Sequence, residues 1–337
     1  MLAGFIQAAQ MIPEAQRAAE GSLPLTVIGG FLGAGKTTLL NRLLSGDHGL
    51  RIAVLVNDFG RINIDASLIR SRTEDTISLA NGCACCTIAG DLTKTLITLA
   101  AREDPPEAIV LEASGLADPV GIAQIALANP ALRLDGILAV VDAEAALRWA
   151  ADPACAPTFA AQVATADLVV LNKADLVDAD ALAKAHALVV GLAPGKPVIE
   201  TSQAHVPTDV VLGIRSEREL PSRLAVPAGH ADAFRSWSAS IDLPLDGTRV
   251  REMLSSLPTT TLRAKGVLWL SEDQRHRTVF QRVGQRFSYT AEAWGRDTPG
   301  SSLVVIGPAE SIDPAALSNY FEACRVVQPV GMLGSGP

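Results

Sequence analysis

Gly30-Phe31-Leu32-Gly33-Ala34-Gly35-Lys36-Thr37 reads G-x-x-x-x-G-K-T, and this stretch decides the fold. Small residues let backbone N–H groups wrap a phosphate chain. The lysine reaches the β- and γ-phosphates, and the hydroxyl after it ligates Mg²⁺. The neighbours agree with this reading. An apolar run, 25–30, precedes the loop, and the amphipathic T-T-L-L-N-R-L-L follows inside 36–45. A strand thus turns into a helix whose positive end faces the same anion. Gly30, Gly33, Ala34, Gly35, Lys36, Thr37 and Thr38 are candidate nucleotide contacts.

Outward from the loop, short apolar runs continue at 51–56, 108–112, 136–141, 167–171 and 197–199. They are continuous rather than alternating, as strands buried on both faces are. Helical patterns near 88–101, 119–128, 156–165 and 178–191 separate them. This order predicts an α/β fold: a P-loop-type, mostly parallel sheet with helices on both faces. Pro207, Pro221, Pro227 and Gly229 mark 204–233 as a linker. Beyond it a smaller α+β domain is expected, with strands at 234–243, 262–270, 276–289 and 301–307 and helices at 246–257 and 313–324. The expected division is an extension at 1–22, a P-loop domain at 23–203, the linker, a C-terminal domain at 234–327 and a tail at 328–337.

Asn172-Lys173-Ala174-Asp175 closes the 167–171 strand. An aspartate there accepts from guanine N1–H and from the 2-amino group. Adenine has no 2-amino group and presents an acceptor at N1, so it would leave the carboxylate unpaired, at about 1–3 kcal/mol. The nucleotide is therefore expected to be GTP. Asn172 is expected to bond the other edge of guanine, the Lys173 stem to lie along the base, and Glu200-Thr201-Ser202-Gln203 to touch it from below. Glu112, at the end of the 108–112 strand, takes the place of the acid that helps hold Mg²⁺ and the attacking water. Gly115 lets a backbone N–H approach the γ-phosphate. Asn57-Asp58-Phe59-Gly60 opens a polar loop, ending at Asp65, that reads as the γ-phosphate switch. Lys36, Glu112 and Asp58 are the expected catalytic residues. No obvious catalytic glutamine follows Glu112, so intrinsic hydrolysis is expected to be slow.

Asn81-Gly82-Cys83-Ala84-Cys85-Cys86-Thr87 packs three of five cysteines into one turn. Cys83 and Cys86 have the C-x-x-C spacing of a zinc turn, and Cys85 adds a third thiolate. Three ligands leave a fourth position open, which suits a carrier that must bind and release. A thioredoxin-like redox pair, buried inert thiols, and Cu(I), Co²⁺ or Fe²⁺ in place of Zn²⁺ are the competing readings. Cys155 and Cys324 stand alone and read as packing residues.

Composition narrows the classes further. Hydrophobic residues make up 48% and charged residues 19% of the 337, enough for a sizeable core. A net charge of −8 gives no global pull toward nucleic acid or an anionic membrane. No apolar run approaches the roughly 20 residues of a membrane span, and residues 1–22 make a poor signal peptide. The clustered cysteines do not resemble a secreted disulfide framework, so a cytoplasmic protein is expected.

Taken in order, GGFLGAGKTTLLN, VNDFG, NGCACCT, LEASGLADP and LNKAD resemble the CobW-like family of P-loop GTPases. LRAKGVLWL, VFQRVGQRFS and SSLVVIG are similar to the second domain of that family. The resemblance covers roughly 24–325. It implies a GTPase acting as a metallochaperone or metalloenzyme activator, with GTP, Mg²⁺ and a transition metal, often zinc, in some members cobalt or iron. It implies a client apo-metalloprotein as partner. The second domain, with Trp237, Trp269 and Trp294, is expected to recognise that client or a second copy of the chain. Two departures stand out. The family's N-E-F-G-E switch is here Asn57-Asp58-Phe59-Gly60-Arg61, and the histidine-rich linker of many members is missing: 204–233 holds only His205 and His230. A regulatory GTPase whose cysteine loop is a structural or partner-binding element is the alternative.

Overall fold

The computed structural model describes residues 22–46, 50–57, 76–79, 95–115, 119, 121, 123–124, 129–212, 234–295 and 298–326. Two compact units result: residues 1–214 with 282–288, and residues 215–281 with 289–337.

The first unit is built on a seven-stranded sheet in the order β3-β2-β4-β1-β5-β6-β7. Its strands are β1 (Leu23–Gly29), β2 (Ile52–Asn57), β3 (Thr76–Leu79), β4 (Ala108–Glu112), β5 (Leu132–Asp142), β6 (Leu168–Asn172) and β7 (Val198–Glu200). All six pairings are parallel. β1, β4 and β6 are buried along their whole length, as their unbroken apolar runs require. The helices are α1 (Lys36–Ser45), α2 over 95–100, α3 (Ala146–Ala151), α4 (Ala156–Ala164), α5 (Ala179–Leu192) and α6 (Thr208–Leu212).

Sheet order explains the position of the site. From β1 the chain builds outward through β4, β2 and β3 on one side, and through β5, β6 and β7 on the other. The loop after β1 therefore lies where the order reverses, at the carboxyl ends of the strands, the place where parallel α/β sheets bind ligands. Two apolar cores support it. One joins β1, β2 and β4 to Leu96 and Leu99 of α2; the other packs Phe159, Val163, Ala185 and Val189 of α4 and α5 against Val169 and Leu171 of β6.

The second unit holds a five-stranded sheet, β11-β10-β9-β12-β8. Its elements are β8 (Phe234–Ile241), α7 (Gly247–Ser255), β9 (Arg263–Leu270), β10 (Asp273–Val283), β11 (Arg286–Ala293), β12 (Ser301–Pro308) and α8 (Pro314–Ala323). β12 runs antiparallel to both β8 and β9. Both helices start on an aspartate: Asp246 accepts from the Thr248 and Arg249 amides, and Asp313 from those of Ala315 and Ala316. Pro314 follows at the first helical position, where its missing N–H costs nothing. The core gathers Trp237, Val250, Met253, Leu268, Phe280, Leu303, Val305 and Phe321.

Several sequence expectations change. The single strand at 276–289 is two, because Gly284 takes φ +56° and turns the chain between β10 and β11. Residues 204–212 fold with the first unit: the α6 residues Val210, Val211 and Leu212 are buried, and Thr26 Oγ1 donates to Val211 O at 3.3 Å. Trp237 is not a recognition surface. It is 5% exposed, meets Phe321 edge to face at 5.9 Å and donates to Ser318 Oγ at 2.9 Å. β3, α3 and α6 had no sequence signal strong enough to be placed.

Phe280 is 1% exposed and packs 5.2 Å from Tyr289. Phe280→Ala should lower unfolding stability by about 3–5 kcal/mol in a urea titration followed by tryptophan emission. A loss under about 1 kcal/mol would mean that this face of the sheet is not a closed core.

Candidate nucleotide site

The loop after β1 has the conformation its glycines demand. Gly30 takes φ +134°, and a Cβ there would sit 2.2 Å from Val140 O. Gly35 takes φ +106°, and a Cβ would sit 2.3 Å from Asn172 Nδ2. Left-handed backbone and absent side chains are both needed at these two points. The first helical bond of α1 runs from Leu39 N to Gly35 O at 3.0 Å, and no side chain caps the helix. The amides of the first turn are thus left out of the helical ladder and point where an anion would lie.

Lys36 is buried and donates from Nζ to Gly30 O (2.9 Å) and Phe31 O (3.3 Å). Its ammonium is held by the loop's own carbonyls, beside the space the phosphates would take. Thr37 Oγ1 donates to Glu112 Oε1 at 3.2 Å. The parallel register sets Glu112 opposite Ile28 of β1, just ahead of the loop. Glu112 is 1% exposed, and a carboxylate so buried is costly without donors or a cation. The hydroxyl and carboxylate form a hard oxygen donor set suited to Mg²⁺. Ala34 is buried, whereas Gly33 and Thr38 are exposed. Gly115 is buried and packs on Leu32 of the loop.

On the other side of the loop, both polar atoms of the Asn172 amide bond to backbone. Nδ2 donates to Ala34 O at 2.9 Å, and Oδ1 accepts from Ala204 N at 2.6 Å. It ties the phosphate loop to the loop after β7, and because the amide nitrogen carries two N–H donors, the bond to Ala34 O is compatible with the expected contact to guanine. Lys173 adopts φ +63° and pairs through Nζ with Asp142 Oδ2 at 2.5 Å. Asp142 also accepts from Glu144 N at 3.0 Å. Asp175 lies exposed on the 3₁₀ turn Ala174–Leu176 with no hydrogen bond to another described residue.

The loop from 200 to 205 is constrained throughout. Gln203 and Ala204 both have positive φ, +50° and +53°, unfavourable for side-chain-bearing residues. Arg42 of α1 offsets this by donating to Gln203 O (2.7 Å) and Gln203 Oε1 (3.1 Å). Thr201 donates to His205 O at 2.8 Å, and Glu200 pairs with His186 Nδ1 at 2.5 Å.

Residues 24–200 match the family described as CobW/HypB/UreG, nucleotide-binding domain. Residues 234–325 match the cobalamin synthesis protein cobW C-terminal domain. The zinc chaperone CobW of Pseudomonas aeruginosa is 35% identical, over 92% of this chain and 95% of that protein. The zinc chaperone YjiA of Escherichia coli is 31% identical, over 87% and 97%. The crystal structure of Zn(II)-bound YjiA covers 90% of this chain and 99% of its own at 25% identity, with a TM-score of 0.42. The chain belongs to the CobW/HypB/UreG family of GTPases.

As a CobW-type GTPase it hydrolyses GTP. The structure brings Gly30, Gly33, Ala34, Gly35, Lys36, Thr37, Thr38, Glu112, Gly115 and Asn172 together around one loop, with Lys173 and Asp175 following Asn172. Asp58, Cys83, Cys85 and Cys86 lie outside the described residues. Burial pushes the Cys155 thiol up, with Asp152 adding to it, and burial also raises Cys324. Both therefore stay protonated at neutral pH, which suits packing rather than metal binding. Asp142, Arg42, Gln162 and the Phe31–Trp149 contact at 4.7 Å were not found from sequence. Each acts on a distant segment and belongs to no local motif.

The two loop glycines give a differential test. Gly35→Ala drives a methyl into the Asn172 amide and should cost about 3 kcal/mol or more of affinity for both GTP and GDP. Gly33→Ala has φ +74° but open space around it, so only the left-handed strain of about 1–2 kcal/mol should appear. Equilibrium titration with fluorescent nucleotides ranks the two, and equal losses would contradict the clash at Asn172.

Proposed function

We propose that this CobW-type GTPase is a metallochaperone that carries zinc, or another divalent transition metal, on Cys83, Cys85 and Cys86 and delivers it to a client apo-metalloprotein. One observation carries the reading. The segment holding the three cysteines follows Leu79 of β3, and β3 pairs with β2, which pairs with β4. The register sets Leu79 beside Asn57, and Val56 beside Glu112. β3 therefore ends on the same carboxyl side of the sheet as β1, about 10 Å from the Glu112 strand by the spacing of two adjacent strands. A metal loop rooted there is placed to respond to the γ-phosphate. The relatives named zinc chaperones supply the cargo class.

In this reading Thr37 and Glu112 hold Mg²⁺, which neutralises charge between the β- and γ-phosphates. Lys36 reaches the β- and γ-phosphates. Asp58 enters from the switch. Asp175 selects guanine, and its lack of another described hydrogen-bond partner leaves both carboxylate oxygens available for the base. GTP assembles the three thiolates, and hydrolysis loosens them.

Two measurements test this. Zn²⁺ affinity by chelator competition should be at least tenfold tighter with a nonhydrolysable GTP analogue than with GDP, a coupling of about 1.4 kcal/mol. It should vanish when the three cysteines are changed to Ser. Equal affinity in both nucleotide states leaves the regulatory-GTPase reading. Separately, Asp175→Asn places an amide donor opposite the 2-position, so GTP affinity should fall by about 1–3 kcal/mol while xanthosine triphosphate, with a carbonyl there, gains. Unchanged GTP affinity would remove Asp175 from the base site.

A further inference from the structure

α4 places two buried side chains against the phosphate-binding loops, three residues apart and so on one face. Phe159 meets Phe31 of the P-loop edge to face at 6.5 Å. Gln162, 2% exposed, donates from Nε2 to Gly115 O at 3.1 Å. A carbonyl only accepts, so chemistry fixes the amide orientation. Gly115 is held from three directions. Ala113 N donates to Ile28 O at 2.9 Å, pinning the start of the segment to β1. A Cβ on Gly115 would lie 3.0 Å from Leu32 N and 2.6 Å from Leu32 Cδ2, so the glycine sits directly on the P-loop backbone. Its carbonyl is then drawn toward α4 by Gln162.

That last bond has an electrostatic consequence. A carbonyl oxygen turned toward the phosphate loop would repel a γ-phosphate, whereas an amide hydrogen attracts it. We propose that Gln162 is a positioning residue for the γ-phosphate: by holding the Gly115 carbonyl on α4, it keeps that oxygen away from GTP, steadies the backbone that carries the Gly115 amide, and so sets the preference for GTP over GDP. The inference rests on the reading of Gly115 as a γ-phosphate contact. An apolar residue would suit the rest of this face, where Phe159 and Val163 are buried. The buried amide is explained by the carbonyl it holds.

The test compares affinities for a fluorescent nonhydrolysable GTP analogue and for fluorescent GDP, with Mg²⁺, in the full chain. Gln162→Met keeps length and removes the donor; Gln162→Glu sets a carboxylate against the carbonyl. Each should weaken the analogue about tenfold and leave GDP within about twofold, with kcat reduced. Equal loss for both nucleotides would assign Gln162 to packing and overturn the inference. Gly115→Ala separates the remaining outcomes. If it destroys discrimination while both Gln162 variants keep it, Gly115 stays at the γ-phosphate and the role of Gln162 falls. If it also keeps discrimination, the reading of Gly115 falls, and the inference with it.

Discussion

The hydrogen bond from Asn172 Nδ2 to Ala34 O, 2.9 Å long and buried, is the constraint on which the nucleotide site depends. It joins segments 138 residues apart in sequence, and it exists only because Gly35 has no side chain to fill the approach. The same amide accepts from Ala204 N, so one side chain sets the spacing between the phosphate loop and the loop after β7. Lys173, forced into left-handed backbone by the turn that follows, finds its counter-charge on Asp142 at the end of the neighbouring strand. Register makes this pairing automatic, because Asp142 lies directly opposite Asn172. The phosphate and base ends of the site are thus spaced by the sheet and by these side chains.

Charge burial gives the site its direction of change. Lys36 and Glu112 are 6% and 1% exposed, and neither group is stable in that environment without compensation. The loop carbonyls solvate the ammonium, and Thr37 donates to the carboxylate. These bonds are replaceable. A phosphate chain offers Lys36 stronger, charge-assisted partners, and a divalent cation offers the same to Glu112. A nucleotide with its cation would therefore add charge-assisted partners to groups that the loop already orients.

What the sequence revealed was whatever is encoded by neighbours along the chain. Gly30 to Thr38, Glu112, Gly115 and the Asn172–Asp175 turn are local patterns, each tied to a strand end, and an unbroken apolar run is enough to place a strand end. Gln162 and Arg42 were not legible: they act on Gly115 and Gln203, 47 and 161 residues away, and nothing in their own neighbourhoods signals it. Asn172 was found, but its bonds to Ala34 and Ala204 were not, since a motif names a residue without showing which backbone groups it also holds. The strand expected at 276–289 failed because an apolar and β-branched run does not reveal that one glycine inside it has positive φ. α6 is shorter than two helical turns, too short for periodicity to emerge.

The same face of α4 gives any nucleotide-dependent change a route into the sheet. Phe159 contacts the P-loop through Phe31, and Gln162 contacts the strand end through Gly115, so the two loops cannot shift independently of one helix. Phe31 also packs on Trp149 of α3, which extends the rigid body to the helix before. On the other side of β1 the path is the sheet itself, from β4 through β2 to β3. Linkage then constrains the proposed carrier. If GTP raises zinc affinity by some factor, zinc must raise GTP affinity by the same factor. A metal-loaded chain would hold its nucleotide more tightly until hydrolysis, so cargo loading would itself delay nucleotide loss. Loss of the γ-phosphate would then weaken the hold on the metal, and the slow hydrolysis expected from the absence of an obvious catalytic glutamine would give the loaded state its lifetime.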